Sequence, residues 1–217
     1  MRVLLSWSSG KDSAWTLHTL REEGTAVVGL LTTINEDVGR VSMQGVRREL
    51  LHCQAEAVRL PVWEVLLPSQ CPNDEYERRM GEAIERAVAE GITHVAFGDL
   101  FLADVRAYRE AMLAPTGIEP LFPIWCGETG TADLADRMLG SGVRAVITCV
   151  DPSQLDPSFA GQDWDPAALP ARVDPLGERG EFHTFCWSGP AFPQPIPIAA
   201  GELIERDGFW WADLTPG

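Results

Sequence analysis

Four short apolar runs, at residues 3–7, 26–34, 62–67 and 92–97, alternate with segments whose apolar residues recur every three or four positions. Runs of this length, rich in Val, Leu and Ile, read as strands buried on both faces. The intervening segments read as amphipathic helices: Leu17 and Leu20 before Gly24; Val46, Leu50, Leu51, Ala55 and Val58 before Pro61; Tyr76, Met80, Ile84, Ala87 and Val88 before Gly91. A β-α-β-α-β-α-β order dictates an α/β fold: a parallel, Rossmann-like sheet with helices on both faces and ligands at the carboxyl ends of the strands.

Further along, residues 131–140 read as a short amphipathic helix and 143–150 as another strand. From Asp151 the chain becomes rich in Pro, Gly, Asp and Trp, and Arg206-Asp207-Gly208 marks a hairpin before Phe209-Trp210-Trp211. We therefore expect one domain over residues 1–125 and a smaller α+β domain over 126–217. A chain of 217 residues buries roughly 70% of its unfolded surface and needs no covalent staples.

Composition narrows the function. The formal charge of −15 opposes contact with phosphate backbones and anionic lipid, so neither bulk nucleic acid nor a membrane is an expected partner. Cys53, Cys71, Cys126, Cys149 and Cys186 form no C-x-x-C pair, which implies neither a zinc site nor a disulfide framework. No apolar run approaches a membrane span, and residues 3–5 follow Met1-Arg2 without a secretory h-region. A soluble, cytoplasmic protein is the expectation, and a homodimer is compatible with it.

The chemistry concentrates first in Ser8-Ser9-Gly10-Lys11-Asp12-Ser13, directly after a strand and before a helix. Small residues let the backbone approach an anion, and the first helical turn offers free N–H groups and about half a positive charge. Lys11, the only lysine among 17 basic residues, adds a compact full charge. Ser8 and Ser13 can donate to phosphate oxygens, while Asp12 can hold magnesium or orient the loop. The same residues would also serve as a plain turn and N-cap. A Walker A loop is excluded because Asp12 follows Lys11 and Leu5 stands at its upstream Gly position.

Two more clusters follow. Gly98-Asp99 ends the fourth run, which places a carboxylate at the ligand edge for magnesium or ribose, or simply for a turn. Arg106 and Arg109, three apart, could share a phosphate or face Glu110 and solvent. Glu178, Glu181 and His183 fall within six residues and are candidates for substrate binding or proton transfer. In an extended segment Glu181 and His183 would share a face.

The loop at residues 8–13 resembles the S-G-G-K-D-S loop of N-type ATP pyrophosphatases, with Ser9 at the first Gly, a replacement we expect to be incompatible with positive φ. Together with Phe97-Gly98-Asp99, Pro120-Leu121 through Trp125, Asp174-Pro175-Leu176-Gly177-Glu178 through Thr184, and Ser188-Gly189-Pro190, it resembles the ordered motifs of the diphthine-ammonia ligase family. The resemblance implies an adenine-nucleotide α-hydrolase-like domain and a smaller family-specific domain. It implies Mg²⁺ and ATP bound by Ser8, Ser9, Gly10, Lys11, Asp12, Ser13, Gly98 and Asp99, with Asp12 and Asp99 as metal ligands. It further implies that Lys11, Glu178, Glu181 and His183 are catalytic. Family members adenylate the carboxylate of diphthine on elongation factor 2, release pyrophosphate and amidate with ammonia. A small-molecule or protein-borne carboxylate and an ammonia or amine donor are thus the expected partners. The rival functions are an ATP-binding regulator without turnover and a tRNA-modifying ATP pyrophosphatase.

Overall fold

The computed structural model describes residues 1–217. Its first half is built on the expected alternation: β1 (Val3–Ser6), α1 (Lys11–Glu22), β2 (Val27–Asn35), β3 (Arg40–Val41), α2 (Arg48–Val58), β4 (Val62–Leu67), α3 (Asn73–Ala89), β5 (His94–Ala96), α4 (Ala103–Leu113) and β6 (Glu119–Leu121). Strands β4, β2, β1, β5 and β6 lie side by side and parallel. The two-residue β3 pairs antiparallel with the end of β2.

Alternation along each strand assigns the two faces. Val3, Leu5, Leu30, Ile34 and Ala96 enter one apolar cluster, together with Leu17 and Leu20 of α1 and Leu50, Leu51 and Val58 of α2. Leu4, Leu31 and Val95 enter another, with Met80, Ile84 and Ala87 of α3 and Leu113 of α4. Helices therefore cover both faces, and each fully buried Leu or Ile contributes roughly 1.5–3 kcal/mol.

Helix α2 starts four residues later than its periodicity suggests. The segment from Val41 to Val46 closes on itself, Gly45 N donating to Val41 O at 3.0 Å and Val41 N to Val46 O at 2.8 Å. Val46 is buried from this loop, so its place in the apolar rhythm is kept without helical backbone.

The second half holds α5 (Thr131–Gly140), β7 (Arg144–Val150), β8 (Phe182–Ser188), β9 (Ile198–Arg206) and β10 (Phe209–Pro216). The last four strands form a separate antiparallel sheet in the order β8-β7-β10-β9. Asp207 and Gly208, both at positive φ (55° and 81°), make the two-residue turn of the β9–β10 hairpin. The first cluster runs on from β1 into this part through Val146, Phe182, Phe185 and Leu214. Strand β8 consequently packs against α1 and the loop that precedes it.

Candidate active site

After β1 the chain runs to β2 on one side, and after β4 it returns to β5 on the other. Ligands bind at the strand ends where such a reversal opens a crevice. A cleft of about 760 Å³ lies there, lined by residues 8 and 10–13 after β1, Gly98 and Asp99 after β5, and residues 176–178 and 182–184 of the second half.

Helix α1 begins without a side-chain cap, Gly10 being its N-cap. Ser8 Oγ lies 3.2 Å from Ser13 Oγ and accepts from Gly10 N at 3.2 Å. Lys11 N donates to Thr184 Oγ1 at 3.2 Å. A Cβ on Gly10 would stand 3.2 Å from Thr184 O, so glycine is what lets β8 come this close. A Cβ on Gly98 would lie 3.3 Å from both the Asp12 carbonyl carbon and Thr16 Oγ1, and the bare backbone there lets β5 abut the first turn of α1.

Ser9 takes φ 69°, which corrects the expectation that serine at this place excludes a left-handed backbone. Its carbonyl accepts from Cys186 N at 2.9 Å and from Gln54 Nε2 at 3.0 Å, and these bonds outweigh a strain of roughly 1–2 kcal/mol. The Ser9 hydroxyl is buried without a partner. Ser9→Gly relieves the strain and removes that hydroxyl, so we expect stabilisation of about 1 kcal/mol, a rise in Tm of about 2–4 °C. Thermal unfolding checks it; a lower Tm would mean that the hydroxyl has a bonding role.

Lys11 is 2% exposed. Its Nζ donates to Leu176 O at 2.5 Å and Asp12 Oδ2 at 3.0 Å, within 5.5 Å of the Trp164 and Phe182 ring centroids. Two of its three N–H groups are thus engaged, leaving one for an anion. Burial raises the pKa of Asp12 against the pull of Lys11, and burial likewise raises that of Asp99 against Arg109. Arg109 Nε stands 3.6 Å from Asp99 Oδ2, whereas Arg106 turns away to Glu110 at 2.8 Å and stacks on Phe122 and Trp125. The two arginines therefore do not share a ligand.

Asp12 Oδ1 and Asp99 Oδ2 are buried without hydrogen-bond partners. No group of three or more His, Cys, Asp or Glu side chains forms a metal cage. Magnesium binds through one or two carboxylates together with phosphate and water oxygens, so these residues fit a magnesium-nucleotide.

Glu178 accepts from Leu100 N at 2.7 Å, and burial, reinforced by Asp12 and Asp99, pushes its carboxyl up to about 7. His183 lines the same cleft, and burial and the Lys11 ammonium hold its imidazole down to about 4. Glu181 behaves differently. It is 3% exposed, and its two oxygens accept from Asp174 N and Arg179 N, both at 3.0 Å. The expected shared face with His183 does not form, because Glu181 sits in a bend before β8, where strand alternation has not begun. Its carboxylate ties down the loop that carries Glu178.

Gln54 and Trp164, which the sequence did not single out, and Leu176 and Thr184, which it placed in a motif without a role, touch the loop from distant chain positions. Gln54 does carry a signal, as an amide on the otherwise apolar side of α2, next to Leu50, Leu51 and Val58.

Residues 1–119 match the family model of the diphthamide synthase N-terminal domain. The chain belongs to that family. The match covers β1 to the start of β6, including the phosphate loop, Gly98 and Asp99, and this diphthamide synthase domain is a member of the ATP pyrophosphatase class. No curated protein matches the chain. No helix is long and apolar enough to cross a membrane.

Proposed function

We propose that the protein is an ATP-dependent, AMP-forming carbon–nitrogen ligase resembling diphthine-ammonia ligases. A carboxylate oxygen of the acceptor attacks the α-phosphorus of ATP, and the bond to the bridging oxygen breaks as pyrophosphate departs. The amine nitrogen then attacks the acyl carbon, AMP leaves with the former carboxylate oxygen, and one proton is lost from nitrogen. The observation that carries this reading is the direct bonding of Lys11 and its loop to residues 176–184, which brings Lys11, Glu178 and His183 to one cleft.

In this reading residues 1–125 hold the nucleotide and residues 126–217 bring the acceptor-side groups. Ser8, Ser13 and the free N–H groups of α1 bind phosphate oxygens, and Lys11 stabilises the departing pyrophosphate. Asp12 and Asp99 would hold magnesium, which supplies charge neutralisation for the phosphates. Glu178, its carboxyl pushed up to about 7, can take a proton from the attacking amine, and His183, neutral at physiological pH, can orient that amine through a ring nitrogen. Glu181 acts through the loop it holds rather than on the acceptor.

The test is which bond is cut. With a carboxylate acceptor and ammonia, AMP and pyrophosphate should appear together in equal amounts. With acceptor but no ammonia, label in the α,β-bridging oxygen of ATP should scramble into the β-phosphate's non-bridging positions. ADP and phosphate formed in proportion to product would mean γ-phosphoryl transfer and overturn the reading. Tight ATP binding with no turnover on any acceptor would favour the regulator instead.

A further inference from the structure

The phosphate loop contains a residue held in a conformation that its own side chain does not favour. Serine at φ 69° carries the steric cost of a left-handed backbone, and its hydroxyl makes no local bond that would offset it. The restraint comes from behind. Gln54, fully buried in α2, donates through Nε2 to Ser9 O at 3.0 Å and to Cys186 O at 2.7 Å. Its Oε1 accepts from Trp7 Nε1 at 2.9 Å, which fixes the orientation of the amide. All the strong bonding capacity of Gln54 apart from one oxygen lone pair is therefore spent, on residues 7–9 after β1 and on Cys186 of β8.

We infer that Gln54 is a positioning residue for pyrophosphate recognition: it clamps the Ser9 carbonyl away from the cleft and thereby fixes, on the cleft side, the Gly10 N–H and the Ser8 hydroxyl that accepts from it at 3.2 Å. A peptide has one carbonyl and one N–H pointing in opposite directions, so securing the Ser9 oxygen on the protein side commits the Gly10 N–H to the opposite side, where it holds the Ser8 hydroxyl in the cleft lining. A carbonyl turned into the cleft would present a partial negative charge to the phosphates. The same amide joins β8 to the loop through Cys186 O, while Cys186 N donates to Ser9 O at 2.9 Å. The loop thus has a second-half strand and an α2 side chain as its rear wall. The inference rests on the ATP reading above and extends it to a residue that does not line the cleft.

The consequence for binding follows from populations. A ligand that binds only the clamped loop has an apparent Kd raised in proportion to the loss of that conformation. Gln54→Met keeps the volume and removes the polar clamp, and magnesium pyrophosphate should bind about 10- to 100-fold more weakly, given three lost buried hydrogen bonds, two of them to the carbonyls of Ser9 and Cys186. Adenosine, which has no phosphates, should bind within about twofold of wild type, since its affinity is uncoupled from the loop. Gln54→Glu keeps the bond from Trp7 but offers at most one O–H donor in place of two N–H groups. It should show a loss of roughly tenfold for pyrophosphate and serves if the Met variant does not fold.

Calorimetric titration of the full chain with magnesium pyrophosphate and with adenosine, alongside thermal unfolding, reads these effects. Selective loss of pyrophosphate affinity supports the clamp. Unchanged pyrophosphate affinity in a folded variant, or equal loss for both ligands, would overturn it, the latter exposing a general packing role. Failure of the wild-type chain to bind pyrophosphate or ATP at all would instead overturn the ATP reading.

Discussion

Replacing Lys11 by Met should lower kcat by about 10²- to 10³-fold at saturating ATP, the loss seen when one preorganised charge is removed from a transition state. The ammonium sits under Trp164 and Phe182, within a low-dielectric pocket, where one charge acts strongly on a departing pyrophosphate. Methionine can occupy the stem's path along the two rings, so the fold should persist. Asp12 loses its cation, but its pKa is already raised by burial, so it can take up a proton rather than remain as a stranded charge. Lys11→Arg should not restore the rate, because a planar fork does not replace a point charge held between two rings and the Leu176 carbonyl. Steady-state kinetics with saturating ATP provide the check, and a kcat within twofold of wild type would remove Lys11 from the mechanism.

The second large effect concerns Glu178 and His183. Glu178→Gln or His183→Asn should cut product formation by about 10²- to 10⁴-fold while leaving ATP affinity near wild type, as expected for acceptor-side groups, one moving a proton and one orienting the amine, outside the phosphate loop. Loss of ATP affinity with normal chemistry would instead make them nucleotide contacts. Stability against pH provides an independent reading of the same pair. Glu178 keeps its proton in the folded chain up to about 7 against 4.5 in the unfolded one, so between these values stability falls as pH rises. His183 has the opposite sign: at about 4 folded against 6.5 unfolded, it makes stability rise with pH over that window.

The two contributions oppose one another between pH 4.5 and 6.5. Relative to wild type, Glu178→Gln should gain stability as pH climbs from 4.5 to 7, and His183→Asn should lose it from 4 to 6.5, each by at most about 3 kcal/mol. Denaturant unfolding at half-unit pH intervals measures both. Differences that stay flat with pH would show that neither group is perturbed as described.

Much of the first half was legible because its signals are local. Apolar runs bounded by Gly and Pro gave β1, β2, β4 and β5, and spacing gave α1, α3 and the body of α2. Periodicity could not see that residues 42–46 form a loop, because Val46 is buried either way. The three-residue β6 escaped for another reason: its strand character comes from pairing with β5, not from its own sequence.

In the site, the same division holds. The order of residues 8–13, between a strand and a helix, already pointed to an anion-binding loop rather than a plain turn, because the chemistry of small residues, a lysine and a helix start is contained within six positions. Whether a given carboxylate faces the cleft depends on its backbone context. Glu178 and Glu181 are alike in sequence, yet one lines the cleft and the other is consumed by Asp174 N and Arg179 N. The left-handed Ser9, the amide of Gln54 and the approach of Thr184 to Lys11 arise from contacts 45 to 173 positions apart. Sequence by itself determined what kind of loop this is and which sheet carries it, since those follow from neighbouring residues. Only the tertiary structure decided how the loop is held and which acids serve it, since buried hydrogen bonds are assigned by whatever the fold brings within 3 Å.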